Sequence, residues 1–112
     1  METTLKKRSH QWIDARSLAM CRLIAEKIRF DPDLFHKAIE TLNHWKQIRQ
    51  PTPRTVWEWE KIIQNNSVER VLEILTEESE EGNRLRQGDP FCGILTEEER
   101  LQILSDYEEI GA

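Results

Sequence analysis

Cysteine is scarce in this chain, with only Cys21 and Cys92 in 112 residues. Two are too few for a disulfide framework, and their separation lacks the paired spacing of a metal site. Glycine and proline number four each, and no glycine-rich phosphate loop is present. No apolar run approaches the ~18–20 residues that a membrane span needs. The opening Met1-Glu2-Thr3-Thr4-Leu5-Lys6-Lys7-Arg8 has a basic cluster but no apolar core and no small-residue cleavage site. It does not read as a secretion signal. Residues 1–8 are expected to be a flexible basic tip, residues 9–112 a single domain, and the setting cytoplasmic and reducing. No alternating run is long enough to predict a strand.

What the chain does have is charge, 33% of its residues, beside 38% hydrophobic ones. That balance fits one helical domain with a modest core better than a disordered chain or a β-sandwich. The net charge of −5 hides an asymmetry. Residues 1–54 carry 11 Lys/Arg against 6 Asp/Glu, a net of +5, and residues 55–112 carry 5 against 15, a net of −10. Such a split points to a partner met electrostatically, though each single charge is equally a solvated helix face.

Apolar periodicity predicts an all-α fold, a single compact bundle of about five to six helices. The first helix runs from about Ser9 to Arg29. Trp12, Ala15, Ala19 and Leu23, with Ile13, Met20, Ile24 and Ile28 one row over, give it a wide apolar face, as in a central helix or one used in a homodimer. Asp31-Pro32-Asp33 supplies an N-cap, a first-position proline and a first-turn acid for a second helix to about Arg49. Its stripe is Phe35, Ala38, Leu42 and Trp45. Thr52 caps and Pro53 opens a third helix that buries Val56, Trp59, Ile62 and Ile63. Asn66, with Glu69 three residues on, caps a fourth over Val68, Val71, Leu72 and Leu75. Thr76 to Gln87 either continues it or forms a further helix, solvated at Glu77, Glu78, Glu80 and Glu81 and weakened by Gly82. Thr96 and Glu99 form the cleanest capping box, opening a last helix with Leu101, Leu104 and Tyr107 on its core face.

One stretch breaks the helical pattern: Arg84-Leu85-Arg86-Gln87-Gly88-Asp89-Pro90-Phe91-Cys92-Gly93-Ile94-Leu95. Gly88 and Gly93 are expected to supply backbone freedom on either side, and Asp89-Pro90 a turning conformation. Phe91, Ile94 and Leu95 cost roughly 1.5–3 kcal/mol each if left in water, so the loop folds onto the helices or onto a partner.

Candidate chemistry is thin. His10, His36 and His44 lack i, i+4 spacing and a Glu-x-x-His context, so neither a metal nor a cofactor is expected. Arg29 and His36, six residues intervening, resemble the ribonuclease motif of helical HEPN-type toxins, but Pro32 falls between them. Cys92 sits where a loop nucleophile could sit, with no nearby His or Lys to activate it. Arg54-Thr55-Val56-Trp57-Glu58-Trp59, with Lys46 and Arg49 nearby, has the look of a recognition helix of a DNA-binding regulator, yet Glu58 and Glu60 would face phosphate. Trp57 and Trp59 divide between core and surface, where aromatic anchors for protein partners arise. A non-enzymatic role is expected.

Arg84 to Gln87, then Pro90, Phe91, Gly93 and Leu95, with Arg100 following, resemble the Arg-Leu-Arg-Gln-x-x-Pro-Phe-x-Gly-x-Leu segment of a family of small bacterial helical proteins of uncharacterised activity. The likeness extends over most of residues 9–105. Gly88-Asp89 stand where Ser-Ser commonly precedes the Pro-Phe, and Cys92 replaces a small residue. The resemblance implies an antitoxin-like component that neutralises a partner protein, a basic toxin, by direct contact. Trp57, Trp59, Arg84, Arg86, Gln87, Asp89 and Phe91 are the contact residues expected. The other outcome for Pro90-Phe91 is that it pins the last helix to the core.

Overall fold

Helix spacing is realised as six α-helices joined by short turns in the computed structural model, which describes the backbone of residues 2–111 and the side chains of residues 11–107. In chain order they are α1 (Glu2–Phe30), a 3-10 turn (Pro32–Leu34), α2 (Phe35–Ile48), α3 (Arg54–Asn65), α4 (Val68–Leu75), α5 (Glu80–Arg86), a second 3-10 turn (Cys92–Ile94) and α6 (Glu97–Gly111). There is no strand among the described residues, and the fold is an all-α bundle. No helix is long and apolar enough to cross a membrane among the residues described.

The long helix α1 is the axis. At 1.5 Å per residue its 29 residues span ~43 Å, which matches the 44 Å long dimension of the molecule. It packs against α4, α5, α6 and both 3-10 turns, the central position its wide apolar face predicts. Cys21, Ile24, Ala25 and Ile28 are buried, Met20 and Leu23 pack partly against them, and Ala15 and Ile13 face solvent. The helix begins at Glu2 and not near Ser9; the expected flexibility of residues 1–8 concerns a tip whose side chains lie outside those described.

α6 runs antiparallel to α1. Trp12 Nε1 donates to the carbonyl of Tyr107 at one end, and Lys27 Nζ reaches Glu99 Oε1 at 2.6 Å near the other. The Thr96–Glu99 capping box forms in both directions, Glu99 N–H to Thr96 Oγ1 at 3.1 Å and Thr96 N–H to Glu99 Oε1 at 2.8 Å. The Lys27 ammonium and the Thr96 N–H together hold the Glu99 carboxyl below its ordinary range.

Several local expectations shift. Asp31 caps as expected, accepting from Asp33 N–H at 3.3 Å, but the first turn after it is 3-10. Thr52 does not cap α3: its hydroxyl donates back to Arg49 O at 3.0 Å, and Pro53 is the N-cap. Ser67 caps α4, accepting from Arg70 N–H at 3.2 Å, while Asn66 donates to Ile62 O. Leu101 is 54% exposed and Val68 40%, so neither belongs to the core. Among the described residues no glycine has positive φ, so neither Gly88 nor Gly93 serves as a left-handed hinge. Gly88 is needed for close approach, because a Cβ there would lie 2.7 Å from Thr55 Cγ2, whereas a Cβ on Gly93 meets nothing.

Gly82 does more. It lies in α5, where glycine costs ~1 kcal/mol relative to alanine, but a Cβ at this position would stand 2.1 Å from the backbone oxygen of Glu77. Gly82→Ala is therefore expected to destabilise the fold by about 2 kcal/mol despite the gain in helix propensity. Gly93→Ala is expected to be neutral or stabilising by up to ~0.5–1 kcal/mol. Urea unfolding of the pair checks both signs at once.

Candidate functional site

The segment after α5 folds inward. Phe91 is fully buried between Trp59 of α3, ring centroids 5.6 Å apart and edge-on, and Phe35 of α2 at 5.9 Å. Trp59 is itself fully buried, and its Nε1 donates to Leu85 O at 2.9 Å. Pro90, Ile94 and Leu95 are buried with it.

Two charged groups go in with these apolar ones. Arg86 is 4% exposed, and its Nη1 donates to Leu75 O at 3.0 Å and Glu77 O at 2.7 Å. Its Nη2 donates to Asn83 Oδ1. Leu75 O is at the end of α4, the negative end of that helix, and Glu77 O follows in the turn, so the guanidinium serves as a C-terminal cap supplied from the next helix. Asp89 is 5% exposed. Its Oδ1 accepts the Phe91 N–H at 2.8 Å and the Cys92 thiol at 3.7 Å, and its Oδ2 accepts the Cys21 thiol at 3.8 Å.

Burial pushes the Asp89 carboxyl up to about 6, opposed by the Phe91 N–H, the two thiols and the Arg86 charge. Desolvation, then the Asp89 carboxylate, pushes the Cys92 thiol up to about 11. Cys21, buried in α1, is raised for the same two reasons. Both sulfurs are held as thiols that donate to Asp89, the opposite of an activated nucleophile.

Of the seven expected contact residues, Trp59, Arg86, Asp89 and Phe91 are thus inside the fold. Trp57 is 50% exposed, and Arg84 and Gln87 are also at the surface. Arg84 forms a bidentate pair with Glu58, at 3.0 and 2.8 Å, and also bonds Glu81; these carboxylates raise its pKa and Arg84 in turn lowers that of Glu58.

Around Trp57, a shallow depression is lined by Arg54, Glu58, Glu60, Lys61 and Gln64, all from α3. Lys46 of α2 closes one side. Its ammonium lies 2.7 Å from Glu60 Oε2 and 5.7 Å from the Trp57 ring centre. Arg49, the other cation near the expected recognition helix, stacks at 5.0 Å on Trp45.

Arg29 is engaged by Glu69 through three hydrogen bonds of 2.8–3.2 Å. His36 is exposed in the first turn of α2, so the two residues do not share a helix. His44 is exposed as well, and the His10 side chain lies outside those described. Among the described residues, no group of three or more His, Cys, Asp or Glu is placed to hold a metal ion.

Nothing in the sequence pattern marked Arg86 as buried, although Gly82 four residues earlier puts a bare stretch of backbone on the same helical face. No protein-family model, curated protein or solved structure matches the chain.

A raised carboxyl pKa means that the folded protein holds the Asp89 proton more tightly than the unfolded chain does. The associated stability is therefore present at low pH and lost as pH rises through about 6. Between about pH 7 and pH 5, the native protein is expected to gain about 1 kcal/mol relative to Asp89→Asn, which cannot take up that proton. Paired denaturant titrations at the two pH values check this, and a pH-independent difference contradicts it.

Proposed function

We propose that this chain is a non-enzymatic, cytoplasmic protein-binding module, antitoxin-like, that neutralises a partner protein by direct contact. The observation that carries the proposal is the pair Trp57 and Trp59. Two residues apart on one helix, they point ~200° apart, so Trp59 locks α3 into the core while Trp57 leaves half of its surface to solvent. An aromatic fixed on a rigid helix contacts a partner at little conformational cost, which is why tryptophan is frequent among binding hot spots. Arg84 and Gln87, exposed at the end of α5 and its turn, are assigned to the same contact. The exposed carboxylates of α4, of the turn after it and of α5 and α6, among them Glu73, Glu78, Glu80 and Glu98, favour encounter with a basic partner.

One observation favours a second reading, a DNA-binding regulator using residues 46–61. Glu58 and Glu60, which would repel phosphate, are each neutralised, by Arg84 and Lys46, leaving Arg54 and Lys61 on the face.

Co-purification of the tagged chain with the products of its neighbouring genes separates the two. Trp57→Ala is expected to cut recovery of a bound partner at least ~10-fold, with a melting temperature close to the parent's because half the ring is already in water. A partner retained by Trp57→Ala contradicts the proposed site. Salt-dependent binding to duplex DNA that falls with Arg54→Ala supports the regulator instead.

A further inference from the structure

The outer face of α3 carries a stripe whose chemistry is left open. Arg54, Trp57, Lys61 and Gln64 follow steps of three, four and three, and so line one side of the helix over ~15 Å. Both edges of the stripe are closed within the chain, Glu58 by Arg84 at 2.8 Å and Glu60 by Lys46 at 2.7 Å. Arg54 and Lys61 have no ion pair among the described residues. The face therefore presents a half-exposed indole between two exposed cations, Arg54 being near only the Glu58 carboxylate that Arg84 already pairs.

The outer face of α6 presents the reverse. α6 turns Glu99, Ile103 and Tyr107 toward α1, which leaves Leu101 on the opposite side and 54% exposed. Glu97 and Glu98 stand one turn before it, exposed, with no ion pair among the described residues. Arg100 lies round the helix on the side of Cys92, whose thiol feels its charge. An exposed apolar side chain is thus flanked by two carboxylates that have no ion pair among the described residues.

We infer that the occupant of the α3 stripe is a second copy of this chain, with Trp57 against Leu101 of the other copy and Arg54 and Lys61 against its Glu97 and Glu98. Two such contacts related by a two-fold axis close a dimer. The split between a basic first half and an acidic second half becomes self-complementarity between copies. The patches are small, so the association is weak, concentration-dependent and reduced by salt. The stripe is the surface assigned above to the partner protein, but the inference needs no partner.

The test is light scattering on the full chain at low ionic strength, from micromolar to millimolar. The parent is expected to rise toward the mass of two chains and to fall back in high salt. Arg54→Glu with Lys61→Glu makes both faces acidic, and Glu97→Lys with Glu98→Lys makes both basic. Each double variant is expected to self-associate at least ~10-fold more weakly than the parent, with helical circular dichroism confirming that each is folded. Mixed together, the two have complementary faces again and are expected to form a dimer of one copy of each. A parent that keeps the mass of one chain at millimolar concentration overturns the inference, as does a mixture that stays monomeric. A monomeric mixture alongside loss of a co-purified partner in Trp57→Ala overturns only the self-association and leaves the partner contact standing.

Discussion

A guanidinium buried against carbonyl oxygens is the constraint on which the second half of this fold depends. Arg86 is 4% exposed and donates to Leu75 O and Glu77 O, so the charge that would be costly to bury is answered by the polar end of α4. For the arginine to reach these oxygens, the turn at residues 76–79 must pass close over α5, and it does so above Gly82, the one residue of that helix without a side chain. Ser79 then caps α5 by accepting the Gly82 N–H at 2.9 Å. Removing the guanidinium would strand the Leu75 carbonyl inside the protein, a penalty of order 1–3 kcal/mol for a buried unpaired group, whereas Glu77 O still accepts the Ser79 N–H at 3.1 Å.

From that fixed point the chain is delivered to the core. Asp89 receives the Phe91 N–H and orients the ring between Trp59 and Phe35, which draws α2, α3 and the loop together. Lys27 of α1 then ties down the exit, donating to Ile94 O at 2.7 Å and pairing with Glu99 in the capping box of α6. A single short segment, beginning in α5 and leading into α6, thereby contacts α1, α2, α3 and α4. Its distinctive residues, Arg86, Asp89, Pro90 and Phe91, are buried in the fold, and of the expected contact residues only Trp57, Arg84 and Gln87 are exposed.

The fold class was legible because it rests on periodicity and caps, which are local. Of the 3-4-3 stripe Phe35, Ala38, Leu42 and Trp45, the first three are buried and Trp45 packs partly against them, and the Thr96–Glu99 box forms in both directions. Caps slipped by one residue at Thr52 and Asn66 because a neighbouring proline or serine competes for the same role. Leu101 reads as core by spacing, yet α1 covers only one side of α6. The candidate site was less legible. An arginine in a charged helix looks solvated, and only the three-dimensional approach of residues 75–77 shows otherwise. Trp59 was legible as the buried member of the Trp57/Trp59 pair, because it shares the stripe of Val56, Ile62 and Ile63, and it is fully buried while Trp57 is 50% exposed.

The central claim, that residues 84–95 close the core and do not form a free recognition loop, is tested most directly by native-state hydrogen exchange. The amides of Phe91, Ile94 and Leu95, bonded to Asp89 Oδ1, Phe91 O and Cys92 O, are predicted to open only with global unfolding, at the same free energy as Ile24 and Ile28 of α1. Exchange of these three amides through a local opening well below the global unfolding free energy, with α1 still protected, would contradict the account.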